Sequence, residues 1–411
     1  MRLPTLLTVL KVSSRNLFRH GRRSLLALGT IVGGLVAFLL ASGFIHWILL
    51  NMREATIHSQ LGHIQIVKQG YFKDGISDPY AYLLPGDAAR IGVPPDLAGV
   101  STLAPRLAFS GMLSRGEETL SFLGEGVDPA REAPIMARVN IVAGQNLSAS
   151  DAKGIIVGEG LAANLDVKPG DTIVLLANTS RGGINAVEGT VRGIFSTITK
   201  AYDDNFLRVP ISMARELVRV EGATNWVLLL KDTEATDTTL TRLRQTTRDA
   251  GVELSPWYEQ ADFYNKTVTL FTKQVDVVKL IIAVIIVLSI SNTLTMSVLE
   301  RTSEIGTIMA LGTPRRGVLG QYLTEGLLLG VVGGALGIVV GWVLAWLISR
   351  IGIPMPPPPG MAHGYIGQIQ LTPGLMLDAW LTALVTTLAA SVYPAWKASR
   401  MNIVDALRHS R

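Results

Sequence analysis

Residues 24–52 read SLLALGTIVGGLVAFLLASGFIHWILLNM, 29 positions between Arg23 and Arg53 without one Asp, Glu, Lys or Arg. A hydrocarbon core about 30 Å thick needs roughly 20 apolar residues in a helix. The stretch therefore spans a bilayer with residues to spare. A signal peptide also places an apolar run after a basic segment, but that run is only about 7–15 residues long and ends at a small-residue cleavage site. Three further uncharged runs follow: Leu280–Leu299, between Lys279 and Glu300; Gly326–Ser349, between Glu325 and Arg350; and Ala379–Trp396, between Asp378 and Lys397. The sequence predicts four spans.

Composition agrees. Charged residues are 17% of the chain, against roughly 25% in soluble domains, and hydrophobic residues are 48%. That balance excludes soluble globular, disordered and fibrous classes. With no cysteine, disulfides, thiolate zinc sites and a cysteine nucleophile are excluded too. The net charge of +5 would fit nucleic acid until its placement is read. Segments 1–24, 300–316 and 397–411 carry +6, +1 and +3, which leaves −5 for the rest. With four spans these three segments share one side, and the positive-inside rule makes that side cytoplasmic. Both termini are then expected inside, and the basic balance is a topology signal rather than a nucleic-acid footprint.

The fold class expected is an α-helical membrane protein with a large α+β extracytoplasmic domain between helices 1 and 2. A basic segment covers 1–24 and the first span 25–52. The outer domain covers 53–262, and a stalk with the second span covers 263–299. A cytoplasmic segment follows over 300–316 and the third span over 317–349. A short outer loop over 350–375 contains the stiff run Pro354–Gly360. The fourth span covers 376–396 and a cytoplasmic tail 397–411. Within the outer domain, Gly62–Val67 alternates as a strand, and Gly154–Val157, Asp171–Leu176 and Trp226–Leu230 are apolar runs bounded by turn residues. Thr236–Ala250 reads as a polar helix with Leu240 and Leu243 inward.

Three patterns carry candidate function. Tyr264, Val268, Phe271, Val275 and Val278, continuing to Ile282 and Ile285, recur at alternating spacings of four and three. This is a coiled-coil seam running into the second span without a breaker, and it predicts a helix extending beyond the bilayer. Gly326, Gly330 and Gly334, with Gly337 and Gly341 on an adjacent line, form small-residue ladders in span three; Gly29 and Gly33 do the same in span one. Such ladders predict close helix packing, within the chain or across a dimer. After span two, Arg301 and Glu304 at i,i+3 are expected to face a polar partner while Ile305 and Ile308 pack inward. Glu325 and Asp378 lie at span boundaries, where reaching water is cheap. No Gly-Lys dipeptide occurs, so there is no P-loop; His-Glu-x-x-His and Gly-x-Ser-x-Gly are absent. The chain is expected to be non-catalytic, with energy from a partner.

The segment Glu300–Gly312 (ERTSEIGTIMALG), followed by Glu325 and a glycine-rich span, resembles the signature of FtsX-like ABC transporter permeases. Tyr393–Arg408 is similar to their C-terminal signature, Gly158–Asp171 to a segment of their MacB-like periplasmic core, and Ser14–Arg19 to their amphipathic N-terminal helix. The resemblance implies type VII ABC permease architecture in a bacterial inner membrane, and a second permease copy, identical or paralogous. It implies a cytoplasmic ABC ATPase dimer that binds ATP and Mg, with no cofactor on this chain itself. It places Glu300, Arg301, Glu304, Ile305, Gly306, Ala310, Leu311 and Gly312 as the ATPase-coupling element. Substrates in this family are not threaded through a pore; ATP-driven closure is relayed through the stalk, called mechanotransmission. The layout is closest to the lipoprotein-releasing permeases, which implies a lipid-anchored or amphipathic substrate and a periplasmic acceptor or adaptor. The stretch Ala177–Glu188 stands where some of those permeases carry a longer, proline-bearing excursion. Export of small hydrophobic compounds and transmembrane signalling to a periplasmic protein are the alternatives.

Overall fold

The computed structural model describes residues 21–94, 97–357 and 364–403. The basic N-terminal segment up to residue 20, including Ser14–Arg19, lies outside them, as do the end of Pro354–Gly360 and the tail beyond residue 403. Two compact units emerge: Met1–Leu49 with Val268–Pro354 and Ile366–Arg411, and Leu50–Thr267 with Met355–Tyr365.

Among the described residues, four helices are long and apolar enough to cross a membrane: Ser24–Leu61, Asp262–Glu300, Arg315–Ile351 and Pro373–Ser399. The second is one uninterrupted helix of 39 residues. At about 1.5 Å per residue it measures about 58 Å, roughly twice a hydrocarbon core. Ala27, Ile31 and Leu35 of the first helix meet Ile286, Ile290 and Leu294 of the second, Leu329 of the third and Ala383 and Ala390 of the fourth. In lipid no hydrophobic force drives helices together, so this contact depends on close fit. Glycines of the third helix supply it in two rows. A Cβ on Gly326 or Gly330 would run into Ser391 or Thr387, and one on Gly334 would lie 2.6 Å from Trp380, all on the fourth helix. On the adjacent row, Cβ atoms on Gly333, Gly337 and Gly341 would each lie 2.9 Å from Ile31, Leu35 and Leu39 of the first helix. The third helix thus uses one glycine line per neighbour.

Gly29 and Gly33 do not belong to this arrangement. A Cβ at either would meet nothing within 4 Å among the described residues. The helix is rotated so that Gly34, one residue on, faces Ile282 and Ile286 of the second helix. For these two glycines, packing within the chain fails as an expectation.

The second unit is built on one ten-stranded sheet in the order β10-β1-β9-β2-β3-β8-β5-β7-β4, with β6 pairing β2 and β7. The strands are β1 (Ile64–Lys68), β2 (Val100–Arg115), β3 (Glu118–Val127), β4 (Asn140–Gly144), β5 (Gly154–Gly158), β6 (Thr172–Asn178), β7 (Ile184–Ser196), β8 (Phe206–Pro210), β9 (Asn225–Leu230) and β10 (Val252–Pro256). β3–β8 and β5–β7 are parallel; the other pairs are antiparallel. β2, 16 residues long, is the sheet's backbone: its start pairs β9 and its end pairs β3 and β6. Two apolar cores form on this frame. One gathers Leu107, Phe122, Ile155, Leu175 and Leu207 under the helix Ile211–Val218. The other gathers Ile64, Ile66, Trp226, Leu228 and Leu254 with Leu240 and Leu243 of the helix Thr236–Thr246. That helix stops four residues short of the expected Ala250. β1 does not have one wet face: Ile64 to Val67 are all buried, because β1 is an interior strand covered on both sides. The stretch Ala177–Glu188 is the tip of the β6–β7 hairpin, with Thr179 and Gly183 closing the turn.

Candidate coupling segment and stalk

The helix carrying span two ends at Glu300, because Arg301 leaves helical conformation (φ −101°, ψ 17°). A separate helix, Thr302–Ala310, follows. Gly312 then takes φ +94°, a left-handed conformation that residues with a Cβ resist, and Pro314 precedes the first residue of the next helix, Arg315. The result is a short helix set between two long ones. Ile305 and Met309 hold it down against Val298, Val318, Tyr322, Ala395 and Ala398. Gly306 is also buried.

Arg301 differs from its expected role. It is 8% exposed, and its Nε donates to Glu304 Oε2 at 3.2 Å while Nη1 donates to Glu325 Oε1 at 3.4 Å. Burial alone would lower the guanidinium's pKa, but Glu325 outweighs it with help from Tyr322 and Glu304, and the net direction is upward. The charge is thus fixed and used internally; it does not face a partner. Glu325 is correspondingly not reaching for water at a boundary: it lies inside the third helix and is 4% exposed. Ile308 was expected inward and is instead 41% exposed, with Met309 in its place. The outward surface consists of Glu300, Glu304, Thr307, Ile308, Ala310, Leu311 and Gly312, followed by Arg315 and Arg316. Leu311, at 78%, is its most exposed large apolar side chain. Asp378 receives Lys279 Nζ on both carboxylate oxygens, each at 2.7 Å.

In the stalk, Tyr264, Val268, Phe271, Val275 and Val278 are each half-buried, and most residues between them are exposed. Tyr264 packs on Ile57, Trp257 and Ala261. Val275 and Ile282 pack on Phe38, Leu39 and Ala379. Beyond Ile282 the spacing changes. The buried residues become Ile286, Ile290, Leu294 and Val298, a strict row of fours, and Ile285 is exposed. A row of fours is an i±4 ridge, which packs at a wider crossing angle than a heptad seam does.

Where the outer domain begins, a hydrogen-bonded chain links strand to helix. The Leu230 amide donates to His63 Nδ1 at 3.0 Å, which leaves Nε2 as donor to Thr233 Oγ1, also at 3.0 Å. Thr233 donates to Glu54. Burial first, then His58, lowers the His63 pKa to about 4. Among the described residues no group of three or more His, Asp or Glu is placed to hold a metal ion.

Comparison with known proteins places this geometry. Residues 24–246, more than half the chain, match the MacB-like periplasmic core domain, and residues 277–403 match the FtsX-like permease C-terminal domain. The chain belongs to the FtsX/MacB-like family of ABC transporter permeases. It is 25% identical over 332 residues to the lipoprotein-releasing system transmembrane protein LolC of Xylella fastidiosa (strain 9a5c), covering 75% of this chain and 78% of LolC. It is 35% identical over 147 residues to the macrolide export ATP-binding/permease protein MacB of Syntrophobacter fumaroxidans, covering 35% of this chain and 18% of that protein. The periplasmic region of MacB from Actinobacillus actinomycetemcomitans aligns at a TM-score of 0.37 and 13% identity, over 53% of this chain and 96% of that one. ABC permeases of this type work with a cytoplasmic ATPase, and the coupling segment and stalk both lie in or beside the matched permease region.

Proposed function

We propose that this permease is a type VII mechanotransmitting subunit that moves or extracts a lipid-anchored or amphipathic substrate at the periplasmic face of the inner membrane. Two copies, or one copy and a paralogue, sit on an ATPase dimer that binds ATP and Mg. Both termini are cytoplasmic, so the segment 300–316 meets the ATPase. The observation that carries the reading is the outward face of that segment: Ile308 and Leu311 expose apolar surface beside Arg315 and Arg316. An apolar patch with a basic edge on a short helix pinned by a buried ion pair is a surface built to be covered. The uninterrupted helix Asp262–Glu300 gives the relay a stiff member, since a helix with few breakers transmits displacement that a loop absorbs. The likeness to LolC over three-quarters of the chain favours a lipoprotein-like substrate over a small hydrophobic compound. The test is purification in mild detergent followed by mass spectrometry. A co-purifying ABC ATPase with an acylated polypeptide supports the reading. An ATPase with no acylated ligand, and a periplasmic protein whose activity responds to ATP, would favour signalling instead.

A further inference from the structure

The turn that ends the first long helix is held by contacts that the spans do not supply. Ile57–Leu61 is a π-helical turn, and His58 departs from helical conformation (φ −90°, ψ 17°). Two arginines from different strands take carbonyls of this turn. Arg208 of β8 donates Nη2 to Ser59 O at 2.9 Å, and Arg106 of β2 donates Nη1 to Gln60 O. Each arginine is 1% exposed. Two glutamates balance their charge. Arg106 binds Glu132 through Nε at 3.3 Å and Nη2 at 2.5 Å, and Arg208 Nε binds Glu125 of β3 at 3.2 Å. Arg208 also donates to the Tyr202 hydroxyl at 3.3 Å. Burial pushes that phenol up, so it stays neutral; burial also works against both guanidiniums, but Glu125 and Glu132 outweigh it at Arg106, and Tyr202 with Glu125 and Glu132 at Arg208, so both shift upward and stay charged.

A buried network of this kind is no stronger than well-packed apolar side chains of the same volume, because desolvation offsets the attraction. What it adds is direction. Charge-assisted hydrogen bonds fix an acceptor in place, whereas an apolar contact lets its partner slide. The apolar side of the same turn is covered by Ile57 and Leu61, which pack with Ala104, Trp257, Ala261 and Tyr264. The turn between helix and sheet is therefore gripped from two sides.

We propose that Arg106 and Arg208, held by Glu132 and Glu125, are positioning residues that fix the turn Ile57–Leu61 to β2, β3 and β8, so that displacement of the first helix enters the sheet there. The inference rests on the mechanotransmitting reading and names the point at which the first helix delivers its motion. The test uses the full chain in lipid nanodiscs and compares wild type with Arg208→Met/Glu125→Met, which leaves the Arg106–Glu132 pair charge-balanced. Amide exchange over residues 57–63 should rise about tenfold in the variant, because opening the turn no longer breaks the Arg208–Ser59 bond and only Arg106 still holds it, while β4 and β7 stay as in wild type. Should the double variant fail to melt cooperatively, Arg208→Lys keeps the charge but not the fork, and its exchange should rise about threefold. Unchanged exchange over 57–63 overturns the anchor. With the ATPase bound, a non-hydrolysable ATP analogue should alter exchange in β2 and β3 of wild type and not of the variant. An equal response in the variant overturns the transmission. No response in wild type would bring down the transmission together with the reading beneath it, while the nucleotide-free comparison still decides the anchor.

Discussion

A guanidinium with 8% of its surface exposed needs a permanent counter-charge, and Arg301 has Glu325. Removing one partner from a buried pair costs about 3–5 kcal/mol, whereas replacing both with apolar side chains is often neutral. Arg301→Met and Glu325→Met should therefore each lower the melting temperature sharply, and the double variant should recover most of the loss. Thermal unfolding in detergent checks this cycle; single variants that melt like wild type would return Arg301 to a partner-facing role. His63 supports a second residue-scale prediction. Its folded pKa of about 4 lies below the ordinary 6.5, so the unfolded chain binds the extra proton between those values. His63 thus favours the folded state fully above pH 6.5 and loses that contribution as pH falls towards 4. His63→Asn, whose side-chain oxygen replaces Nδ1 as acceptor for the Leu230 amide, should melt with a shallower pH dependence over that window. Parallel melting curves for the two proteins would contradict it. The nearness of Arg301 and Glu304 was legible from their i,i+3 spacing, but that spacing suggests a shared face for a partner and not the bond between the two. The Glu325 and His63 contacts were not legible, since sequence spacing says nothing about residues 24 and 167 positions apart.

Elements were legible in proportion to their periodicity. The four spans follow from uncharged length, and the stalk seam from its four-three spacing, because both are local patterns. The seam's change of phase after Ile282 is not local: it depends on which neighbours approach, and there Gly34 of the first helix lets Ile282 and Ile286 come close. Within the outer domain the apolar runs became strands, but their order in the sheet left no trace in the sequence. Two substitutions separate the glycine roles. Gly337→Leu drives a side chain into Leu35 and should cost about 1–3 kcal/mol through overpacking. Gly33→Leu, with open space around it, should leave the stability of the single chain within about 0.5 kcal/mol. Equal losses on thermal unfolding would show that Gly33 has a neighbour in the chain after all. In the stalk, Phe271→Pro should cost about 3 kcal/mol of helix and break the relay. ATP hydrolysis by the bound partner should persist while transport stops, and transport that continues would remove the stalk from the mechanism.

At the scale of the whole molecule, the excess of apolar residues resolves into the four long helices found among the described residues. Large exposed side chains such as Leu288, Val339, Trp342 and Val385 lie on the long helices, as expected of helices whose solvent is lipid. If a partner ATPase supplies the energy, as proposed, one surface of this chain must receive it. Leu311→Asp is the most direct probe. The residue is 78% exposed, so the substitution should leave the fold intact while placing a charge in the apolar part of the coupling face. The measurement is affinity purification of the full chain from its native membrane, with the amount of co-purifying ABC ATPase compared between wild type and variant. A stoichiometric ATPase is expected with wild type, and its loss, by about tenfold or more, with Leu311→Asp. An ATPase retained equally by both, with melting temperatures matched, would contradict it.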